Sequence, residues 1–147
     1  MASTRVLVVA NRTAATPALL DAVRERAARG ACSFTLLVPN PVRGIDRVAD
    51  PEDHDRSEGA AVLELALPLL SEAAGGTVEG RVGDAEALAA IQDAVNLGDF
   101  DEIIISTLPT RVSKWLKLDL PSKAAGLGLP VTTVTAGGRT EAATTAH

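Results

Sequence analysis

Aromatic side chains are almost missing: of 147 residues two are Phe, one is Trp and none is Tyr. Any core must therefore be built from Val, Leu, Ile and Ala. A protein that grips single-stranded nucleic acid uses stacking rings and positive charge. Three aromatics and a net charge of −5 argue against that class. The same negative balance argues against attraction to nucleic acid in general and to acidic membrane surfaces. Cysteine is nearly absent too. Cys32 alone allows no internal disulfide, which fits a reducing compartment. Long apolar runs are lacking: Val6 to Ala10 is too short for a signal-peptide core or a membrane span. The expectation is a cytoplasmic protein. Of the two histidines, His54 and His147, neither has a second His or Cys at ligand spacing, so no metal site is expected. Asp50, Glu52, Asp53 and Asp55 around His54 read as a solvated acidic loop before they read as a hard-cation site.

What is present is ordinary globular material. Hydrophobic residues make up 46% and charged residues 22%, in a length that suits one domain with a real core. Arg5 to Ala10 reads as a first strand, continuously apolar and so buried on both faces. Thr16 as N-cap and Pro17 in the first turn open a helix to Arg29, and Gly30 ends it. Cys32 to Val38 is a second strand. Pro39 to Arg56 reads as a long loop. A helix from Ser57 to Ala74 follows, with Pro68 expected to kink it or split off its last turn. Thr77 to Val82 reads as a third strand at an edge. Asp84 is the expected N-cap of a helix that Gly98 ends. Pro121 to Leu127 is a short helix and Val131 to Thr135 a fifth strand. Residues 1–136 thus form one domain, and the small, polar, unpatterned residues 137–147 read as a disordered tail.

The fourth strand lies in Asp101-Glu102-Ile103-Ile104-Ile105-Ser106-Thr107-Leu108-Pro109-Thr110-Arg111. Its β-branched run is typical of a central parallel strand. Strand alternating with helix, joined by right-handed crossovers, gives an α/β doubly wound five-stranded parallel sheet with helices on both faces. Ligands in such sheets sit outside the carboxyl ends of the strands, where strand order reverses. Ser106, Thr107, Thr110 and Arg111 would then line a crevice with Asn11, Arg12 and Thr13. Their hydroxyls and guanidinium suit a small anion. The competing reading is a turn that satisfies its own backbone, with Arg12 solvated. Val82 and Gly83 lead into a helix with Asp84 as its cap. Lys114, Trp115 and Lys117 offer either a partner surface or a segment packed on the sheet. Cys32 reads as an inert strand residue.

Three stretches together resemble the universal stress protein family, over about Arg5 to Thr135. They are Val6-Leu7-Val8-Val9-Ala10-Asn11, then Val82-Gly83-Asp84-Ala85-Glu86-Ala87-Leu88, then Asp101 to Thr107 with the later Pro130-Val131-Thr132-Thr133-Val134. The resemblance implies strand order 3-2-1-4-5, an adenine beside Val82 and Gly83, and homodimers through the Val131–Thr135 edge. ATP-binding members of that family resemble one another in Gly-x-x-Gly, nine residues, then Gly-Ser or Gly-Thr. Here Ser106 and Pro109 occupy the first pair, and Asp119-Leu120 the second. Pro109 has no N–H to offer a phosphate, and Asp119 brings a negative charge. The acidic residue usual after the first strand is Asn11. The expectation is a non-catalytic regulator with a degenerate ATP grip, its candidate ligand an adenine nucleotide or small anion. A ligand-free dimeric scaffold is the alternative. A nucleotide-processing enzyme ranks below both, because no base, nucleophile or metal cluster is recognisable.

Overall fold

The computed structural model describes residues 4–10, 13–39, 51–83, 86–107, 119–135 and 140–143, with 51–60 and 140–143 described by their backbone. Five strands lie parallel: β1 (Thr4–Val9), β2 (Cys32–Pro39), β3 (Glu79–Gly83), β4 (Glu102–Thr107) and β5 (Val131–Thr135). A sixth, β6 (Thr140–Ala143), runs antiparallel to β5. The order is β3-β2-β1-β4-β5-β6, so the five parallel strands follow the expected 3-2-1-4-5.

Alternation along the strands sorts side chains between two layers. Val6, Val8, Phe34, Leu36 and Ile104 face one side. There they meet Leu19 and Val23 of α1 (Pro17–Ala28) and Ala66 and Leu70 of α2 (Pro51–Ala74). Leu7, Val9, Leu37, Ile103 and Ile105 face the other. They meet Ile91 and Ala94 of α3 (Ala87–Leu97) and Leu120 and Ala124 of α4 (Leu120–Ala125). Every one of these side chains is buried. Among the described residues Phe34 is the one buried aromatic of the two layers, and Phe100 packs partly buried against the second.

Four local expectations need correction. α2 begins at Pro51, so Pro51 to Arg56 belong to the helix and not to a loop. A proline at the first helical position and an acidic first turn are start signals the sequence already held. Pro68 does not split that helix; it is exposed, so the carbonyl its missing N–H leaves free can turn to water. Glu86 occupies the N-cap position of α3, and Asp84, the expected cap, lies outside the described residues. The tail expected over 137–147 contains β6, and its antiparallel pairing covers Val131 to Val134. β5 is therefore not an edge, and the expected dimer contact through a free Val131–Thr135 edge is closed along that strand. A four-residue strand, Thr-Glu-Ala-Ala, carries no apolar pattern by which it could be seen in the sequence.

Two glycines of β3 permit the layers to close. A Cβ on Gly80 would sit 2.8 Å from Leu63 Cδ2 and 2.9 Å from Leu67 Cδ1. One on Gly83 would sit 2.9 Å from both Ala90 Cβ and Leu37 Cδ1. Leu37 and Ala90 are buried and cannot withdraw, so Gly83→Ala forces the sheet and α3 apart. Urea denaturation should find Gly83→Ala destabilised by about 1–3 kcal/mol. Gly76→Ala, with open space around the new methyl, should stay within about 0.5 kcal/mol of wild type.

Candidate functional site

Parallel pairing puts the carboxyl ends of all five parallel strands on one rim. β1 and β4 are neighbours in register, with Val8 opposite Ile104 and Val9 opposite Ile105. Chain from β1 leads outward to β2 and α1, and chain from β4 leads the other way to β5. The strand order thus reverses between them, as the switch-point argument requires.

At that junction Thr13 and Ser106 meet. Their hydroxyls lie 2.7 Å apart, and both residues are buried. Ser106 Oγ also lies 3.5 Å from the Thr13 carbonyl, as a long second contact. The same carbonyl accepts from Thr16 Oγ1 at 2.9 Å and from the Thr16 N–H at 3.2 Å. Thr16 holds the N-cap position of α1, but its hydroxyl points back to Thr13 and makes no cap bond to the helix. The turn after β1 is thereby locked onto β4 by side-chain hydroxyls. Thr107 is buried, and alternation places it on the opposite face of β4. Thr133 follows on that face, opposite Ile105 on β5, and its buried Oγ1 has no hydrogen-bond partner among the described residues. Sequence reading missed Thr133, because a threonine in a strand carries no signal of its surroundings.

Asn11, Arg12, Thr110 and Arg111 lie outside the described residues, as do Pro109, Lys114, Trp115 and Lys117. Val82 and Gly83 are on the same rim but at its far end, on the edge strand. Three strand spacings separate β3 from β4, roughly 14 Å at the usual interval. There Val82 and Gly83 line a shallow groove of about 310 Å³ with Arg81, Asp93 and Leu97. Close packing against Ala90 and Leu37 accounts for the glycine without any ligand. Among the described residues no group of three or more His, Cys, Asp and Glu could hold a metal ion.

Asp119 precedes α4 in the left-handed region, with φ 61° and ψ 40°. It is the one non-glycine residue with positive φ among those described. A glycine would adopt this conformation freely, whereas a side chain pays for it. Backbone geometry at the position is therefore of glycine type, although the residue is not.

A second polar cluster lies at the opposite end of the sheet and belongs to the scaffold. Arg26 of α1 grips Glu102 at the start of β4 with two bonds, Nε to Oε1 at 2.8 Å and Nη2 to Oε2 at 2.9 Å. Its hydrogen bond to Glu102 raises the Arg26 pKa against the opposing effect of burial. Nearby, burial pushes the Cys32 thiol up from its ordinary value, more than the Arg26 charge lowers it. Burial there disfavours the thiolate. The sequence could not announce the Arg26–Glu102 pair, since the partners are far apart along the chain.

No protein-family model matches the sequence, and none of the curated proteins matches it significantly. Solved structures do. A universal stress protein from Archaeoglobus fulgidus superposes with a TM-score of 0.65 at 18% identity, covering 91% of this chain and 95% of its own. The chain has the universal stress protein fold. A universal stress protein in complex with cAMP gives a TM-score of 0.58 at 15% identity, over 90% of this chain and 98% of that one. The Archaeoglobus fulgidus protein in complex with dAMP gives 0.59 at 17%, with the same coverages. At these identities the likeness is one of fold, and the five parallel strands in the order 3-2-1-4-5 are its content.

Two outcomes follow from this geometry. Thr13→Val or Ser106→Ala removes the 2.7 Å contact between two buried hydroxyls and should cost about 1–3 kcal/mol. The double variant should cost less than the sum of the two in a urea-denaturation cycle. Asp119→Val should lose about 1–2 kcal/mol by placing a β-branched residue at positive φ, while Asp119→Gly should not be destabilised.

Proposed function

We propose that this chain is a non-catalytic regulator of the universal stress protein type, which takes a nucleotide or similar small anion at the crevice between β1 and β4. The observation that carries this reading is the side-by-side ending of those two strands, with the Thr13–Ser106 contact at their junction. Two solved structures of the same fold are complexes with cAMP and dAMP, each an adenine nucleotide with one phosphate. That favours a monophosphate here. A triphosphate needs several backbone N–H groups brought close by glycines, and this sequence has Ser106, Pro109 and Asp119 at those places.

Binding without turnover is the reading the hydroxyls support. Ser106 bonds to Thr13, another hydroxyl, which is no general base. The single free cysteine, Cys32, is consistent with work in the cytoplasm. One observation favours the second reading, a ligand-free scaffold. Thr13 and Ser106 already satisfy each other, so an anion would have to displace that contact or bind above it.

Thermal unfolding with AMP, cAMP and ATP tests both. A nucleotide at 100 times its dissociation constant stabilises by ~2.7 kcal/mol, which is roughly a 5–10 °C rise for a chain of this length. AMP or cAMP should produce such a rise, and ATP should do no better than AMP. Absence of any rise at millimolar nucleotide would leave the scaffold reading. Steady release of product from ATP would overturn the non-catalytic one.

A further inference from the structure

Helix α1 is fastened to β4 at two points. At one end of the sheet Arg26, in the last turn of α1, holds Glu102 at the start of β4 by two hydrogen bonds of 2.8 and 2.9 Å. At the other end Thr13, in the turn before α1, meets Ser106 near the finish of β4 at 2.7 Å. The two fastenings differ in kind. Arg26 and Glu102 form a charged fork whose side chains are only 14% and 24% exposed. Thr13 and Ser106 share a neutral bond, roughly half as strong as a charged one. The end of β1 is fixed too, since the Ala10 N–H donates to the Leu37 carbonyl. The turn from Thr13 to Thr16 can therefore open while the sheet and the body of α1 stay in place.

Closed, the turn hides the groups that a ligand at this rim would use. Thr13 is 3% exposed and Ser106 1%. A phosphate oxygen reaches neither hydroxyl while the two lie buried against each other. A ligand that uses them must first part Thr13 from Ser106.

Thr16 supplies a second position for the turn. It stands at the N-cap of α1 with extended backbone, φ −77° and ψ 151°. From that geometry a threonine hydroxyl ordinarily accepts an N–H of the first helical turn, here that of Ala18 or Leu19. In the closed turn it donates instead to the Thr13 carbonyl at 2.9 Å and makes no cap bond. When Thr13 leaves, this hydroxyl is free to rotate and cap the helix. The new bond offsets part of what opening loses, so the open turn lies within reach of the closed one.

We propose that the Thr13–Ser106 contact is an autoinhibitory latch: it seals the crevice between β1 and β4, and a ligand binds by opening the turn while Arg26 and Glu102 keep α1 on the sheet. The proposal rests on the ligand reading above for what the latch excludes, but not for the local opening itself.

Amide hydrogen exchange of the full chain, without nucleotide, tests the opening. The Thr16 N–H donates to the Thr13 carbonyl, so it is freed when the turn opens. It should exchange faster than the amides of Leu20 and Val23 in α1. Its rate should hardly respond to low urea, because a local opening exposes little surface. Ser106→Ala should raise that rate roughly three- to tenfold, the worth of one neutral hydrogen bond. Thr16 exchanging in step with Leu20 and Val23 at every urea concentration would overturn the latch. Calorimetric titration with AMP tests the inhibition. Thr13→Val, which keeps the Ser106 hydroxyl, should bind AMP roughly three- to tenfold more tightly than wild type, since the turn no longer has to be unlatched. Equal or weaker binding would overturn the inhibitory role and leave the ligand reading standing. No binding by either protein would overturn both together.

Discussion

The parallel pairing of β1 with β4 is the constraint on which the molecule rests. Val8 lies opposite Ile104 and Val9 opposite Ile105, and each of these side chains is buried. Because alternate residues face opposite layers, the same few residues anchor both helical layers at once. Full burial of a Val, Leu or Ile contributes about 1.5–3 kcal/mol, so this short double strand concentrates much of the driving force. It also fixes register strongly. A slip by one residue would turn each aliphatic side chain toward the wrong layer.

The same pairing creates the rim where function is proposed. Two strands that end together leave their turns side by side, and polar residues there must satisfy one another or something else. Thr13, Thr16 and Ser106 do so among themselves. A phosphate clasp of the glycine-rich kind solves the problem differently, with backbone N–H groups aimed outward at a ligand. This chain has a left-handed backbone at Asp119 with a carboxylate on it.

Fold was legible because it is written in continuous apolar runs. Val6 to Val9 and Ile103 to Ile105 are short, largely β-branched runs that read as strands buried on two faces, and helical spacing between runs gave the crossovers. Boundaries were less so. Pro51 and the acidic residues after it carry helix-start signals, but the abundance of Pro, Asp and Arg around them reads equally as loop. β6 was invisible because its pairing lies in the backbone and not in its side chains. Of the site, the adjacency of Thr13 and Ser106 followed from topology alone. Their mutual hydrogen bond did not, since a hydroxyl in a sequence does not say whether it meets water, a ligand or its neighbour. Val82 and Gly83 were read as neighbours of an adenine, and the tight approach of Ala90 and Leu37 accounts for the glycine by packing.

The central position of β1 also bears on how the chain is made. Its two flanks are filled at very different times: β2 follows after one helix, whereas β4 emerges only when most of the domain has been synthesised. Until then an apolar strand with one bare side waits on the ribosome-bound chain, and such species are prone to aggregate. Long-range parallel pairing is also slow to form. The three consecutive isoleucines of β4 close that flank, and β5 then closes the far side of β4 in turn.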